Sequence, residues 1–438
     1  MQHRIIVLGA GYTGAVAAGR LAKRLHREDV AITLVNAEPD FVERVRLHQL
    51  ATGQDLRPRP FDEMFAGTGV ALRIAKVTGI DADRRTVTVT ATAQKPATGE
   101  PVEEPATEEL AYDTLVYALG SGWDGQGVPG AAEHAHEIAG RPGAHRLRER
   151  LARLDAGAHV VVVGGGLTGL EAATEIAEAR PDLGVALAAR GALGDGLSAK
   201  GRRHLHKVFG RLGITAYEHT AVTAVGPDRV TTADGGSIPA DVTVWTTGFA
   251  VHPTARATTL EVTGTGRIVV DETMRSVSHP DVYAIGDAAL AAGPGGKPLR
   301  MSCASGVPSA WQAADAIAAR LTGGKLPKVP LRYFNQCVSL GRKDGLIQYV
   351  TADDRSVRAA LTGRFAAAYK EVVCKGAAWG VANPTLGVPV RRRRVVRRPA
   401  EATTGSPGSA GTAGTVEAPG AAGAAGTTGA APEVGASA

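Results

Sequence analysis

Cysteine and aromatic residues are scarce in this 438-residue chain, and no apolar run is long enough to predict a transmembrane helix. The three cysteines, Cys303, Cys337 and Cys374, form no CxxC pair and no cluster with histidine at metal-ligand spacing. The sequence therefore predicts neither a redox dithiol nor a metal site. At about 150 residues per domain, the length predicts roughly three domains.

Much of the positive charge is concentrated in one short segment, although residues 1–390 and 391–438 each have a net charge of +3. Lys and Arg number 49 and Asp and Glu number 43, and the difference equals the six arginines between positions 391 and 398. Nucleic-acid binding by the whole protein is therefore not expected. Residues 399–438 contain no aromatic residue, Leu or Ile, which predicts a disordered tail. Because a strand begins within four residues of the N-terminus, we expect no cleavable signal and a cytoplasmic location.

Glycine is abundant, and its first cluster follows a short apolar strand at residues 4–8. The sequence Gly-Ala-Gly-Tyr-Thr-Gly at positions 9–14 fits the GxGxxG pattern and leads into a helix. Gly9 would permit the tight turn, Gly11 would let the backbone approach a pyrophosphate, and Gly14 would allow close helix packing. These features predict a dinucleotide site.

The residue that ends the second strand, Val30–Val35, departs from the usual pattern. An acidic side chain normally binds the ribose there, but the next residue is Asn36, with Glu38 two positions further on. We assign the ribose contact to Asn36, which can still hydrogen-bond a hydroxyl, and keep Glu38 as the alternative.

The same unit recurs about 155 residues later, with a strand at 159–163, a helix at 167–179 and a strand at 184–188. Gly164, Gly166 and Gly169 take the three glycine roles. The expected acid is replaced by Ala189, and Arg190 follows. An arginine there would pair with a 2′-phosphate and favour NADPH, whereas a solvated arginine is the alternative.

Three further segments distinguish the chain from a simple dehydrogenase. Strands predicted at 112–121 and 244–249 both reach a glycine, as crossovers between cofactor domains do. A strand at 279–288 ends in Gly-Asp-Ala and would place Asp287 beside a ribityl hydroxyl. The stretch 93–109, rich in Pro, Glu and Thr, is predicted to be an exposed loop.

Together the motifs GAGYTG, YDTLVYALGS, GGGLTGLE, VWTTGF and VYAIGDAA resemble the FAD- and NAD(P)-binding pyridine nucleotide oxidoreductases across residues 4–325. The resemblance implies an α/β fold with two Rossmann-like domains, the second inserted in the first, and FAD and NAD(P)H as cofactors. The implied divisions are 1–140 and 249–325 for the FAD domain, 141–248 for the NAD(P) domain, 326–390 for a small C-terminal α+β segment, and 391–438 for the basic run and tail.

Within that family the chain is most similar to type II NADH dehydrogenases. It has no cysteine before Cys303, and residues 41–53 resemble the equivalent flavin-side segment of those enzymes, ending in Gln, an apolar residue, Ala, Thr and Gly. The resemblance implies that electrons pass through flavin alone to a quinone. The quinone-site pattern Ala-Gln-x-Ala-x-Gln is only partly kept, with Ala310 and Gln312.

Site residues follow from the motifs and the resemblance. His48 is placed near the isoalloxazine, with a core histidine as the alternative, and Glu171 near the nicotinamide, with a helix-dipole glutamate as the alternative. The residues predicted at the reacting face are Gln49, Glu171 and Gln312. The residues predicted to contact the cofactors are Gly9, Gly11, Tyr12, Thr13, Gly14, Asn36, Arg46, Gly120, Gly164, Gly166, Thr168, Gly169, Arg190, Gly248, Gly286, Asp287 and Ala288. Cys303 is expected to be a buried apolar residue.

The C-terminal region offers a membrane hypothesis. Residues 361–379 mix apolar and charged side chains, so we expect no clear hydrophobic membrane face and favour a helix that covers the cofactor domains. The arginines within 391–398 would attract anionic lipid headgroups in peripheral membrane contact, with a solvated charge run as the alternative.

Three functional hypotheses remain open from the sequence. The first is an NAD(P)H oxidoreductase that reduces a quinone. The second is a soluble reductase of a ferredoxin-like carrier, which a basic surface near the flavin would favour. The third is a redox-sensing flavoprotein with slow turnover, similar to apoptosis-inducing-factor-like proteins.

Overall fold

Strands and helices alternate through residues 1–92, 106–327 and 331–396, which are the residues that the computed structural model describes. The strands are β1 His3–Leu8, β2 Val30–Asn36, β3 Val70–Asp81, β4 Thr86–Ala91, β5 Thr107–Ala111, β6 Thr114–Tyr117, β7 Ser121–Trp123, β8 Ala135–Glu137, β9 His159–Val163, β10 Gly184–Ala188, β11 Thr215–Tyr217, β12 Val222–Val225, β13 Arg229–Thr232, β14 Ser237–Pro239, β15 Val242–Trp245, β16 Phe249–Val251, β17 Ile268–Val269, β18 Val282–Ala284, β19 Ala289–Leu290, β20 Asn335–Ser339, β21 Gly345–Val350 and β22 Ser356–Thr362. The helices are α1 Tyr12–Arg24, α2 Leu47–Ala51, α3 Phe61–Phe65, α4 Ala131–His134, α5 Arg141–Ala152, α6 Leu167–Ala179, α7 Ala199–Leu212, α8 Cys303–Thr322 and α9 Arg364–Ala382. The predicted disordered tail at 399–438 lies outside the described residues.

The first sheet joins the beginning of the chain to a strand from much later. Its strand order is β18-β6-β1-β2-β3-β4-β5. Strands β1 and β2 pair in parallel, with Ile5 opposite Ile32. Ile5, Val7 and Leu8 are all fully buried, because a parallel strand covered on both faces is apolar along its length.

The second sheet has the order β11-β10-β9-β15-β8, and all its strands come from residues 135–245. It therefore lies in sequence between β6 and β18 of the first sheet, which confirms the insertion of one Rossmann-like unit in the other. The predicted bounds of β9, α6 and β10 agree with the structure. The antiparallel pair β7 and β16 joins the two crossovers, with Ser121 opposite Val251.

Two predicted strand assignments near the first crossover were wrong in detail. Residues 107–109, predicted as the end of the loop, belong to β5, and residues 112 and 113, predicted as strand, separate β5 from β6. At this break, Asp113 Oδ2 accepts a hydrogen bond of 2.7 Å from the backbone N of Arg4. Residues 93–105, the rest of the predicted loop, lie outside the described residues.

The C-terminal segment is an antiparallel sheet, β20-β21-β22, followed by α9. The helix begins at Arg364, after Gly363 with φ +79°, and Leu361 belongs to β22. After α9 the chain reaches the first domain, where Arg393 forms a parallel bridge with Leu25. No helix within the described ranges is both long and apolar enough to span a membrane.

Candidate active site

In the first glycine turn, Gly9 and Gly14 are closely packed against the backbone, whereas Gly11 faces open space. A Cβ on Gly9, whose φ is +89°, would lie 2.5 Å from the carbonyl oxygen of Ala118, and a Cβ on Gly14 would overlap the Gly9 carbonyl. Nothing lies within 4 Å of a Cβ placed on Gly11, at the N-cap of α1. The turn therefore leaves room for a pyrophosphate at the helix N-terminus, which fits FAD.

Asn36 supports this turn from the end of β2. Its Oδ1 accepts a hydrogen bond of 2.9 Å from the backbone N of Ala10, and its Nδ2 donates one of 2.8 Å to the carbonyl of Glu38. The side chain thus orders the turn, and its ribose contact stays a prediction.

The Gly-Asp segment meets the same turn. Thr13 packs against Gly286 closely enough that a Cβ on Gly286 would lie 2.9 Å from Thr13 Cγ2. Asp287 Oδ2 accepts a hydrogen bond of 2.6 Å from the hydroxyl of Ser121. The structure therefore brings the GAGYTG, Gly120–Ser121 and Gly286–Asp287 motifs together at one edge of the first sheet. Ala288 is buried beside them.

Tyr12 and Arg44 also lie near this edge, and the predicted cofactor contact of Tyr12 stays a prediction. Tyr12 is buried and packs edge-on against Phe41, with ring centroids 4.9 Å apart, so its side chain belongs to the core. Arg44, which lies in the segment 41–53 but was not predicted as a site residue, donates a hydrogen bond of 2.8 Å from Nη1 to the carbonyl of Ser121. Arg44 therefore adds a cation beside Gly120, whose φ is +70°.

The second glycine turn repeats the geometry of the first. A Cβ on Gly164 would lie 2.6 Å from Thr246 Oγ1, and a Cβ on Gly169 would overlap the Gly164 carbonyl. Gly166 again has open space around it. This second cradle at the N-terminus of α6 fits the pyrophosphate of NAD(P)H.

The residues beside the second turn differ from those beside the first. A Cβ on Gly165 would approach the Cβ of Ala189 to 2.8 Å, so the residue at the position of the expected acid packs against the turn. Arg190 follows and is exposed. Thr168 lies in the first turn of α6, and Gly248, with φ +74°, faces Gln126 across the crossover.

A buried ion pair joins α6 to α9. Glu171 Oε1 accepts hydrogen bonds of 2.8 Å from Lys370 Nζ and 3.0 Å from the backbone N of Ser339, and Lys370 also donates to the carbonyl of Cys337. Although burial opposes ionisation, the Lys370 ammonium holds the pKa of Glu171 below its usual range. Burial lowers the pKa of Lys370, but the Glu171 carboxylate outweighs it and raises that pKa. Glu171 is therefore an ionised carboxylate inside the protein.

His48 lies between two acidic side chains. Its Nδ1 is 3.9 Å from Glu171 Oε2, and its Nε2 is 4.0 Å from Glu175 Oε2. Burial lowers the pKa of His48 to about 4, so the imidazole is neutral at physiological pH. Burial raises the pKa of Glu175 to about 7, and Gln54 Nε2 donates a hydrogen bond to Glu175 Oε1.

Arg46 and Gln49 form a second network beside this cluster. Arg46 binds Glu371 with both Nη atoms, at 3.0 and 2.9 Å, and its Nε lies 3.2 Å from Glu43. It also donates to Gln49 Oε1. The hydrogen bonds from Arg46 lower the pKa of Glu371 to about 2. The guanidinium of Arg46 is therefore paired within the protein. Its predicted contact with a cofactor stays a prediction.

Gln312 and Cys303 lie on α8. Gln312 is buried, and its Nε2 donates to the carbonyls of Glu272 and Pro327 at 3.1 and 3.3 Å. Its amide therefore bonds backbone groups rather than the Glu171–Lys370 pair, and its role at the reacting face stays a prediction. The expectation that Cys303 is buried was wrong, because this residue begins α8 and is exposed.

The structure thus contains two glycine turns of the same geometry and a Gly-Asp segment beside the first of them. Residues 3–318 match the pyridine nucleotide-disulphide oxidoreductase family. The chain belongs to this family. It is 30% identical over 332 residues to an NADH dehydrogenase-like protein of Mycobacterium tuberculosis, covering 70% of this chain and 77% of the relative. It is 27% identical over 364 residues to a demethylphylloquinone reductase of Synechocystis, covering 79% and 86%.

Solved structures agree on the fold of this oxidoreductase. The structure of NDH2 from Plasmodium falciparum in complex with NADH has a TM-score of 0.71 at 13% identity, covering 89% of this chain and 99% of that one. As a member of the family, the chain is a flavoprotein enzyme that uses FAD and NAD(P)H. All three of its cysteines are free in the structure, so it lacks the disulphide that gives the family its name.

The outer side of α9 carries exposed apolar side chains. Lys370 and Glu371 point inward, and Cys374 and Ala378 are buried beneath the helix. Five large apolar side chains point outward at helical spacing. These residues, called the α9 apolar face below, are Phe365, Tyr369, Val372, Val373 and Trp379, with exposed fractions of 39 to 81%. The sequence did not predict this exposed apolar face, which forms because Lys370 and Glu371 pair with residues beneath the helix. Whether the face contacts a membrane stays a prediction.

The arginine run has structural partners. Arg392 Nε donates to the carbonyl of Ala22, and Arg394 pairs with Glu28 and Asp29 at 2.8 and 3.2 Å. Arg393 forms backbone hydrogen bonds with Arg24 and His26, at the end of α1. Arg397 and Arg398 lie outside the described residues.

Proposed function

We propose that this oxidoreductase transfers electrons from NAD(P)H through FAD to a quinone, as a type II NADH dehydrogenase. The observation that carries the proposal is the buried Glu171–Lys370 pair with His48, because it unites α2 of the first domain, α6 of the second and α9 in one site. The name of the Synechocystis relative, a demethylphylloquinone reductase, supports the quinone as acceptor. The free cysteines support direct electron transfer without a thiol intermediate.

The two glycine turns divide the cofactors between them. The first turn, with Asn36, Gly120 and Asp287, would hold FAD, and the second, with Gly248 and Arg190, would hold NAD(P)H. When bound, FAD supplies the capacity to accept hydride from NAD(P)H and to pass electrons on to a second substrate. The protein supplies orientation and charge around it.

Glu171 would set the electrostatics of the reacting face. It lies in the first turns of α6, directly after the NAD(P)H cradle, and Lys370 keeps it ionised within the protein. The negative charge of Glu171 would favour the positive charge that a nicotinamide gains on oxidation. Gln49, held by Arg46, and Gln312 would line the same face.

We also propose that the α9 apolar face contacts the membrane surface, where a lipid-soluble quinone resides. Exposed apolar side chains at helical spacing suit insertion at the headgroup boundary, and the exposed cations Arg364 and Lys375 flank them. Arg392 and Arg394 are already bonded to the first domain, so α9 is a better candidate for this contact than these two arginines.

Rapid mixing tests the acceptor. The purified flavoprotein is reduced by NADH or NADPH and then mixed with a short-chain menaquinone analogue or with a reducible ferredoxin. Fast loss of flavin absorbance followed by fast recovery with the quinone is expected. Recovery with the ferredoxin alone would instead identify the soluble reductase, and no recovery with either would indicate the slow redox sensor.

Vesicle flotation tests the membrane contact. The full chain should float with vesicles containing anionic lipid, and the double variant Phe365→Ser/Val372→Ser should float about tenfold less while keeping its flavin. Val277→Ser, which removes an exposed apolar side chain elsewhere, is the matched control. Equal flotation of the double variant and the wild type would show that α9 does not carry the contact.

A further inference from the structure

Two buried polar atoms face each other without a hydrogen bond beside the proposed reacting face. His48 Nε2 and Glu175 Oε2 are 4.0 Å apart, and neither has a hydrogen-bond partner within the described part of the chain. His48 is 4% exposed and Glu175 is 1% exposed. Buried polar atoms normally find partners, because desolvation without one costs free energy. The pair therefore requires an explanation beyond packing.

The pair occupies the middle of a line of side chains. On its inner side, His48 Nδ1 faces Glu171 Oε2 at 3.9 Å. On its outer side, Glu175 Oε1 is held by Gln54, which is half-buried and follows the exposed Gly53. The line therefore runs from near the surface to the buried carboxylate of Glu171.

The charged surroundings give the three groups different proton affinities. The charged groups that face them are Glu171, Lys370, Arg342 and Arg46 around His48, and Arg342, Glu178 and Glu171 around Glu175. Burial together with the nearby cations lowers the pKa of His48 to about 4, and burial raises the pKa of Glu175 to about 7. A neutral imidazole can accept a proton on one nitrogen and release one from the other.

We propose that Glu175 and His48 form a proton relay that carries a proton from the solvent side of Gln54 to Glu171 for reduction of the acceptor. The relay rests on the proposed quinone reductase function, since hydride brings two electrons and one proton, whereas a quinol contains two added protons. The second proton must come from solvent. The overall reaction is NAD(P)H plus quinone plus H⁺ giving NAD(P)⁺ plus quinol.

Each transfer in the relay breaks one bond as it forms another. The O–H bond at Glu175 Oε2 breaks as an N–H bond forms at His48 Nε2. The N–H bond at His48 Nδ1 breaks as an O–H bond forms at Glu171 Oε2. Glu171 then gives the proton to the acceptor, and Glu175 takes another from water. Each gap closes with a shift of about 1 Å, and catalytic hydrogen bonds often tighten only with substrate present.

Glu175→Gln in the holoenzyme tests the relay, because the amide keeps the shape but cannot pass the proton. Reduction by NADH should stay within about twofold of wild type, and recovery of flavin absorbance with the menaquinone analogue should slow about 100-fold. In this variant, the rate of that recovery should also no longer depend on pH near 7. Glu175→Asp, which keeps a titratable group, should restore most of the rate. Asp55→Asn, which removes an exposed carboxylate beside Gln54, is the control and should match wild type.

Infrared spectroscopy gives a readout that does not depend on turnover. A protonated-carboxyl band should titrate near pH 7 in the wild type and in Asp55→Asn, and it should be absent from Glu175→Gln. Variants are compared at equal flavin content and equal Tm. If the flavin absorbance of Glu175→Gln recovers with the quinone at the wild-type rate and pH profile, the relay is wrong but the quinone function stands. A wild type that the quinone does not reoxidise would overturn the quinone function and the relay with it.

Discussion

The two glycine turns have the same shape but are completed by different residues. In both, the first glycine has positive φ and the third approaches the carbonyl of the first, while Gly11 and Gly166 face open space. At the end of the next strand, Asn36 bonds the first turn through the backbone N of Ala10, whereas Ala189 only packs against the second and leaves Arg190 exposed. The comparison teaches that close packing of the glycines fixes the shape of both turns, while the residue at the end of the next strand supports each turn differently.

The largest loss of stability is expected from a side chain at the third glycine of each turn, which packs against the carbonyl of the first glycine. Gly14→Ala and Gly169→Ala place a Cβ on a carbonyl oxygen and should each destabilise the fold by about 3 kcal/mol. Thermal unfolding measures this, with Gly210→Ala as the control, since nothing lies within 4 Å of a Cβ at that helix position. A Gly14→Ala protein with wild-type Tm would show that the turn is not close-packed.

Substitution of each glycine that faces open space should affect the binding of one cofactor and not the other. Gly11→Ala and Gly166→Ala should both fold with wild-type Tm, because no atom of the protein obstructs the new methyl group. Gly11→Ala should weaken FAD binding at least tenfold, about 1.4 kcal/mol, and Gly166→Ala should raise the KM for NAD(P)H by a similar factor. Flavin titration of the apoprotein and steady-state kinetics measure the two effects. Exchanged effects would reverse the cofactor assignment.

Arg190 should act on one form of the nicotinamide cofactor. Arg190→Ala should lower kcat/KM for NADPH about tenfold by removing a charge-assisted contact to the 2′-phosphate, and it should leave the value for NADH within twofold. Arg153→Ala, another exposed arginine of the same domain, is the control. An unchanged NADPH to NADH ratio would remove Arg190 from cofactor selection.

The smallest effect is expected at Asn36. Asn36→Ala removes the acceptor for the backbone N of Ala10 and should weaken FAD binding about fivefold, close to 1 kcal/mol. Asn36→Asp keeps that acceptor and should bind FAD better than the alanine variant. Equal FAD affinity of both variants and the wild type would mean that the side chain does not order the turn for the cofactor.

Local patterns predicted the central strands and helices of this oxidoreductase because each pattern is contained in a few neighbouring residues. β9, α6 and β10 were predicted with their bounds, since an uninterrupted apolar run and a glycine turn mark a buried parallel unit. The break at Asp113 was missed because its hydrogen-bond partner, Arg4, is 109 residues away. The exposure of Cys303 was missed because an isolated cysteine carries no directional signal.

The α9 helix shows most clearly where the local pattern stops. Its sequence alone suggested a mixed surface, yet the folded helix points Lys370 and Glu371 inward and its large apolar residues outward. Their partners, Glu171 and Arg46, come from distant parts of the chain. Only those partners make it favourable to bury the charged side of a helix.

The sequence by itself determined the two dinucleotide turns and the order of the domains, because strand, turn and helix are short-range consequences of apolar runs and glycines. The tertiary structure alone decided which polar side chains meet in the buried cluster around Glu171. Lys370 meets Glu171 across 199 residues, and His48 reaches the same carboxylate from a third element. Such a site depends on how the domains pack, so it exists only once the chain has folded.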